Sequence, residues 1–167
     1  NGFGIYNNGV DDPQVWNPAN LTTPLIDMPG WPASTKAKVM RAYRDFLIAL
    51  DVTKGTARDP RLVKWSDAAD PNTLPASWDE TDATRLAGEK SLAQGDAELV
   101  DCLPFQNANI VYTSEETWLM NQVGGELVFT FYRLYESSGL LAHDCEINFR
   151  QRQFSIMLDD FIFHSCH

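Results

Sequence analysis

The sequence predicts an all-β fold of antiparallel strands, and three observations predict it. Short apolar runs follow one another closely from residue 97 onward: Glu98-Leu99-Val100-Asp101-Cys102, Asn109-Ile110-Val111-Tyr112-Thr113, Thr117-Trp118-Leu119-Met120 and Leu127-Val128-Phe129-Thr130-Phe131. The connectors suit hairpins, with Ser114-Glu115-Glu116 between the second and third runs and the permissive Gly124-Gly125 before the fourth. The same spacing resumes at Cys145–Phe149, Gln153–Met157 and Asp160–His164, which suggests a sandwich or a propeller.

Earlier in the chain the signals differ. Residues 1–36 hold five of the nine prolines, at 13, 18, 24, 29 and 32, and each removes a backbone donor that a strand or helix would use. An extended lead-in is expected there. Its aromatic residues Phe3, Tyr6, Trp16 and Trp31 suit a segment draped on a packed surface better than a disordered linker. Residues 37–167 are expected to form the β portion, interrupted by a long polar loop over 66–96.

The stretch Lys38–Leu50 is ambiguous. Val39, Tyr43, Phe46, Leu47 and Leu50 fall at helical spacing, whereas Tyr43–Leu50 also reads as a long buried strand. On the strand reading, residues 39–50 form one strand, 51–59 a turn, and Arg61-Leu62-Val63-Lys64-Trp65 its alternating partner. In the polar loop, Trp65 and Trp78 are placed to stack on one another or on Pro71 and Pro75 and so hold it in place.

Composition narrows the function. The 167 residues include 13 Lys and Arg against 23 Asp and Glu, a formal net charge of −10, with 44% hydrophobic residues. That length suits one ordinary core. The absence of any apolar run near eighteen residues argues against a membrane span, and the Asn1–Gly4 start has neither the charge nor the apolar run of a signal peptide. A soluble chain is expected. The start at Asn1 and the apolar run Phe161-Ile162-Phe163 near the end read as a segment of a longer polypeptide. Phosphate binding needs clustered Lys and Arg, so a wrapped nucleic-acid complex is disfavoured, although an acidic wall lets DNA slide past without sticking. Three cysteines, at 102, 145 and 166, with no CxxC, point to a reducing compartment. The sequon Asn20-Leu21-Thr22 carries no weight without a secretory context.

Several groups could carry chemistry. Asp79, Glu80 and Asp82 after Trp78 offer an acid/base pair beside an aromatic sugar platform, but neighbouring carboxylates seldom sit at the separation glycosidases need, and a solvated turn is the simpler reading. His164, Cys166 and His167, with Cys145, offer zinc donors without a ligand motif. His143-Asp144-Cys145 resembles a Cys-His pair, yet adjacent strand residues point to opposite faces, which favours a core cysteine. Gly88 and Gly124-Gly125 make no phosphate-binding loop. Lys36, Lys38, Arg41 and Arg44 form a basic run that could meet a phosphate or an acidic partner, but they read more simply as charges protecting a strand edge. Phe129, Phe131, Tyr132 and Tyr135 read as core and subunit-contact residues rather than stacking platforms. No catalytic, cofactor-binding or metal residue is assigned.

A set of segments in fixed order carries a resemblance: Arg41–Leu50, Arg61–Pro71 and Leu74–Asp79, then Ala87-Gly88-Glu89, Ile110–Thr113, Thr117–Met120, Val123-Gly124-Gly125 and Phe129–Tyr135. Together they resemble the tail nozzle, or tail tubular protein B, family of short-tailed bacteriophages, over about residues 40–164. The resemblance implies antiparallel sheets arranged like propeller blades, and on that ground residues 39–50 are read as a strand despite their helical spacing. It also implies a six-fold ring of identical subunits beneath an adaptor ring in the virion tail, assembled in the bacterial cytoplasm. Double-stranded DNA would pass through the ring transiently, with no enzymatic activity, no cofactor and no membrane insertion. The length departs from a complete six-bladed propeller, which needs far more chain, so two or three blades are expected here. The charged turn Arg150-Gln151-Arg152 also departs from the family pattern. The rival readings are a host-glycan-binding or hydrolysing β domain using Trp65, Trp78 and nearby carboxylates, and a domain stabilised by metal at its C-terminal His and Cys residues.

Overall fold

A computed structural model of the chain describes residues 2–20, 22–92, 97–125, 127–150 and 152–165. Among these residues there are fourteen strands and no helix, and the strands form four antiparallel sheets. The chain divides into two compact units, residues 1–92 and 93–167. The division falls after Leu92.

In the first unit, strands β1 (Gly4–Tyr6), β2 (Gln14–Trp16) and β3 (Ile26–Asp27) form a small sheet within the proline-rich segment. The prolines lie outside these short strands, so none removes a ladder donor. Val15 and Met28 share a core with Ala37, Leu47, Ala49, Val52, Leu62 and Trp78, against which Phe3, Ile5 and Trp31 also pack. The lead-in is thus part of the unit's hydrophobic interior.

The second sheet runs β4 (Thr35–Tyr43), β5 (Phe46–Lys54), β6 (Ala57–Trp65) and β7 (Gly88–Ser91) in sequence order. Here the expected single strand over 39–50 is corrected to a hairpin. Tyr43 pairs with Phe46 across Arg44 and Asp45, and Arg44 takes a left-handed φ of 53°. β4 alternates, burying Thr35, Ala37, Val39 and Tyr43, while β5 is buried on both faces from Phe46 to Val52. Laying an alternating strand and a doubly buried strand end to end across a two-residue turn produces the spurious helical spacing.

The expected turn over 51–59 is corrected as well. β5 continues to Lys54, and the chain reverses at Gly55 and Thr56, with Gly55 at a φ of 62°. Asp51 sits at a bulge in that ladder, where the register shifts between Leu50 and Val52. Pro60 lies on the opposite side of the shift, between the pairs Val52–Asp59 and Leu50–Val63, so it interrupts no regular pairing. β7 falls inside the expected polar loop and pairs with β6 from Leu62–Ser91 to Trp65–Gly88.

In the second unit, β8 (Leu99–Phe105), β9 (Ala108–Thr113), β10 (Thr117–Gln122) and β11 (Phe129–Tyr135) form the expected meander in sequence order. Gly124 and Gly125, at φ values of 72° and 77°, lie in the connection between β10 and β11. Strands β12 (Glu146–Phe149), β13 (Arg152–Ile156) and β14 (Phe161–Ser165) complete the set as a three-stranded sheet. Ile110, Tyr112, Leu140 and Met157 form a core in this unit, with Leu119, Cys145 and Ile162 against it. The all-β antiparallel class is correct.

Candidate functional site

The carboxylates after Trp78 separate by environment. Asp79 accepts from the amide and hydroxyl of Thr81, and Asp82 from those of Thr84, so both close local turns. The Thr84 bonds hold the exposed Asp82 below the usual carboxylate range. Glu80 instead reaches back to the sheet. Its carboxylate receives Lys54 Nζ at 2.7 Å and Lys64 Nζ at 2.5 Å, and Glu89 on β7 lies 2.7 Å from Lys54 and 3.2 Å from Lys64.

Lys64 is wholly buried and has a carboxylate on either side, which a cation in the interior needs. Burial alone would raise the Glu80 pKa, but the hydrogen bonds from Lys54 and Lys64 outweigh it and hold the group at about 2. Burial likewise opposes the charge on Lys54, and its bonds to Glu80 and Glu89 prevail and raise its pKa. A carboxyl held ionised in this way cannot serve as a general acid near neutrality. These groups fasten the 66–87 connection to the sheet.

The two tryptophans that the glycan reading relies on are interior. Trp78 is fully buried and meets Trp31 edge-on, with ring centroids 4.7 Å apart, rather than Trp65. Trp65 is 8% exposed and donates its indole N–H to the carbonyl of Leu86 at 2.9 Å. Gly88 lies over that ring, where an added Cβ would stand 2.5 Å from it. Neither indole presents a face on which a sugar could stack. The loop is also pinned by Ser66, which receives the Leu47 amide, and by Asp67, whose carboxylate meets Arg85 and the Leu86 amide.

In the second unit, the structure gathers one group that the sequence pattern does not mark. Asp101 is fully buried at the β8 bulge, and its carboxylate accepts from the amides of Cys102 and Asp144. His143 Nδ1 lies 2.5 Å from Asp101 and Nε2 lies 3.3 Å from Asp144. Ligand atoms of the three residues fall within 4.8 Å of one another. The imidazole is therefore held between two carboxylates and is not paired with Cys145 as a nucleophile's base. Cys145 packs beside the Tyr112 core. Asp101 and Asp144 are 43 positions apart, so no local motif announces the group.

His164 is 9% exposed, set between the rings of Phe105 and Tyr135 at 6.0 and 5.9 Å, and burial lowers its pKa. Among the described residues it joins no cluster of three metal-ligating groups. Cys166 and His167, the other two terminal donors considered, lie outside the described residues. The basic residues of β4 lie on an edge strand, where Lys36 and Lys38 face outward and Lys38 approaches Asp51 at 3.7 Å. On β11, Phe129 is buried, while Tyr132 and Tyr135 are exposed.

The sheet β12–β13–β14 carries a cluster of exposed apolar side chains. Its inner face mixes Ile162, packed against the core, with Gln153 and Ser155, fully buried beneath the Tyr112 hydroxyl. Its outer face is apolar, with Ile147, Phe149, Phe161 and Phe163 each 60–65% exposed around Phe154. No protein-family model matches the chain, and no curated protein matches it.

Proposed function

We propose that the chain is a structural subunit of a short-tailed phage tail, part of the nozzle through which the genome leaves. The observation that carries this reading is the pair of four-stranded antiparallel meanders, β4 to β7 and β8 to β11, each in strict sequence order. That is the pattern of a propeller blade. The segments that resemble the nozzle family fall on these sheets in turn: Arg41–Leu50 on the β4–β5 hairpin, Arg61–Trp65 on β6, then β9, β10 and β11.

The chemistry agrees with a structural part. The most strongly held ionised groups tie a loop to a sheet, and the candidate glycan-binding tryptophans are core residues. A formal charge of −10 suits a wall past which a polyanion must slide. Imaging of intact particles by electron cryo-microscopy tests the reading. Six copies around an axial channel are expected, whereas peripheral copies, or none, would overturn it.

A further inference from the structure

We infer that the outer face of β12–β13–β14 is a self-complementary contact between two copies of this chain, packed face to face with their strands antiparallel. The contact rests on nothing in the nozzle reading, and either can fail without the other. Cross-strand pairing places Ile147, Phe154 and Phe163 in one row, and the alternation puts Phe149, Ile156 and Phe161 on the same side. Phe154 stacks on Phe161 at 5.7 Å and tilts against Phe163 at 4.8 Å, so the aromatic surface is continuous.

The size of the face fits a specific partner. With Ile147, Phe149, Phe161 and Phe163 exposing 60–65% of side chains of roughly 200 Å², they offer about 500 Å². Phe154, Ile156, Leu158 and the arginine stems bring this to roughly 600 Å² per copy, the lower bound for a stable protein contact. An apolar patch of that size is characteristic of an interaction surface.

Charge selects the partner and its orientation. Arg150 and Arg152 stand at the β12–β13 end of the sheet, with the Arg150 guanidinium over the Phe149 ring at 5.3 Å. Asp159 and Asp160 stand at the opposite end, in the β13–β14 connection, where they share a cleft with Glu115 and Glu136. The face is therefore basic at one end and acidic at the other. A two-fold axis in the plane of the contact, perpendicular to the strands, lays the basic end of each copy on the acidic end of the other. With the axis over the Ile147–Phe154–Phe163 row, the same operation sets the two Phe154 rings against each other, with Ile147 on Ile147 and Phe163 on Phe163 to either side. An axis along the strands would instead set arginine on arginine.

The test is sedimentation equilibrium of the whole chain across a concentration series. A monomer–dimer equilibrium is expected, with Phe163→Asp weakening it at least about thirtyfold. Two charge variants separate this contact from unspecific apolar association. The pair Arg150→Asp/Arg152→Asp makes both ends acidic, and Asp159→Arg/Asp160→Arg leaves both ends with arginine. Each variant alone should associate at least about tenfold more weakly than the parent, and a mixture of the two should recover a one-to-one complex. Unchanged amide protection in β8–β11 verifies that the variants fold. A strictly monomeric parent, open-ended association, or charge variants that behave like the parent would each overturn the proposal.

Discussion

The Tyr112 hydroxyl donates to Gln153 Oε1 over 2.7 Å and lies equally close to Ser155 Oγ, joining β9 to the buried face of β13. Burial raises the Tyr112 pKa far above its ordinary value, so the phenol stays protonated and keeps its donor. Tyr112→Phe leaves Gln153 Oε1 and the Ser155 hydroxyl without this partner in the interior, at a cost of about 1–3 kcal/mol. Hydrogen exchange should accelerate at the β9 and β13 amides and not in β4–β6. Adding Ser155→Ala should cost less than the sum of the single changes, because the pair shares one bond.

Acid should loosen the first unit through Glu80. Its folded pKa of about 2 lies below the ordinary 4.5, so its contribution is present above pH 4.5 and is lost as pH falls toward 2. Thermal melts of Glu80→Gln should show a flatter decline over that window than the parent. Lys64→Met, which removes the buried cation from between Glu80 and Glu89, should destabilise by about 3 kcal/mol at neutral pH.

His164 sets a second, milder window. Burial depresses its pKa below 6.5, so the unfolded chain takes up the proton first and stability falls as pH drops below 6.5. His164→Leu should remove this limb from the melting profile while leaving the Glu80 limb in place.

Among the described glycines, Gly139 leaves the least room for a Cβ. A Cβ there would stand 2.0 Å from the carbonyl oxygen of Ser114, a main-chain atom that cannot rotate away. Gly139→Ala should cost about 2–4 kcal/mol and expose the Leu140 amide, which now donates to the Thr113 carbonyl at 3.0 Å. Loss of protection at that amide is the readout.

The two faces of β11 should respond oppositely. Phe129 is 4% exposed, so Phe129→Asp buries a charge without a partner and should unfold the second unit. Tyr132→Asp, at a position 56% exposed, should change its stability by less than about 1 kcal/mol. A near-ultraviolet circular dichroism spectrum of each variant decides the matter.

The meander β8–β11 was legible because each strand is a short apolar run bounded by turn residues. The β4–β5 hairpin was not, because Arg44 adopts a left-handed conformation with no glycine or asparagine to signal it. Nor were β1–β3 and β7, two to four residues long, which are fixed by the surfaces they pair and pack with rather than by their own composition. The carboxylates after Trp78 were visible as a cluster, but the Lys54 and Lys64 partners that neutralise Glu80 come from two other strands. The apolar outer face is hidden in the sequence because the contiguous Phe161-Ile162-Phe163 run masks its alternation, with Ile162 facing inward and its neighbours outward.

Every described strand pairs only with the strand before or after it in the sequence. On a ribosome, each strand can therefore pair as soon as it emerges, and the longest connection to be closed within a sheet is 66–87, between β6 and β7. No strand of residues 1–92 has to wait for a partner from the second unit. Synthesis order and assembly order coincide, which shortens the time that an unpaired edge stays open to a neighbouring nascent chain.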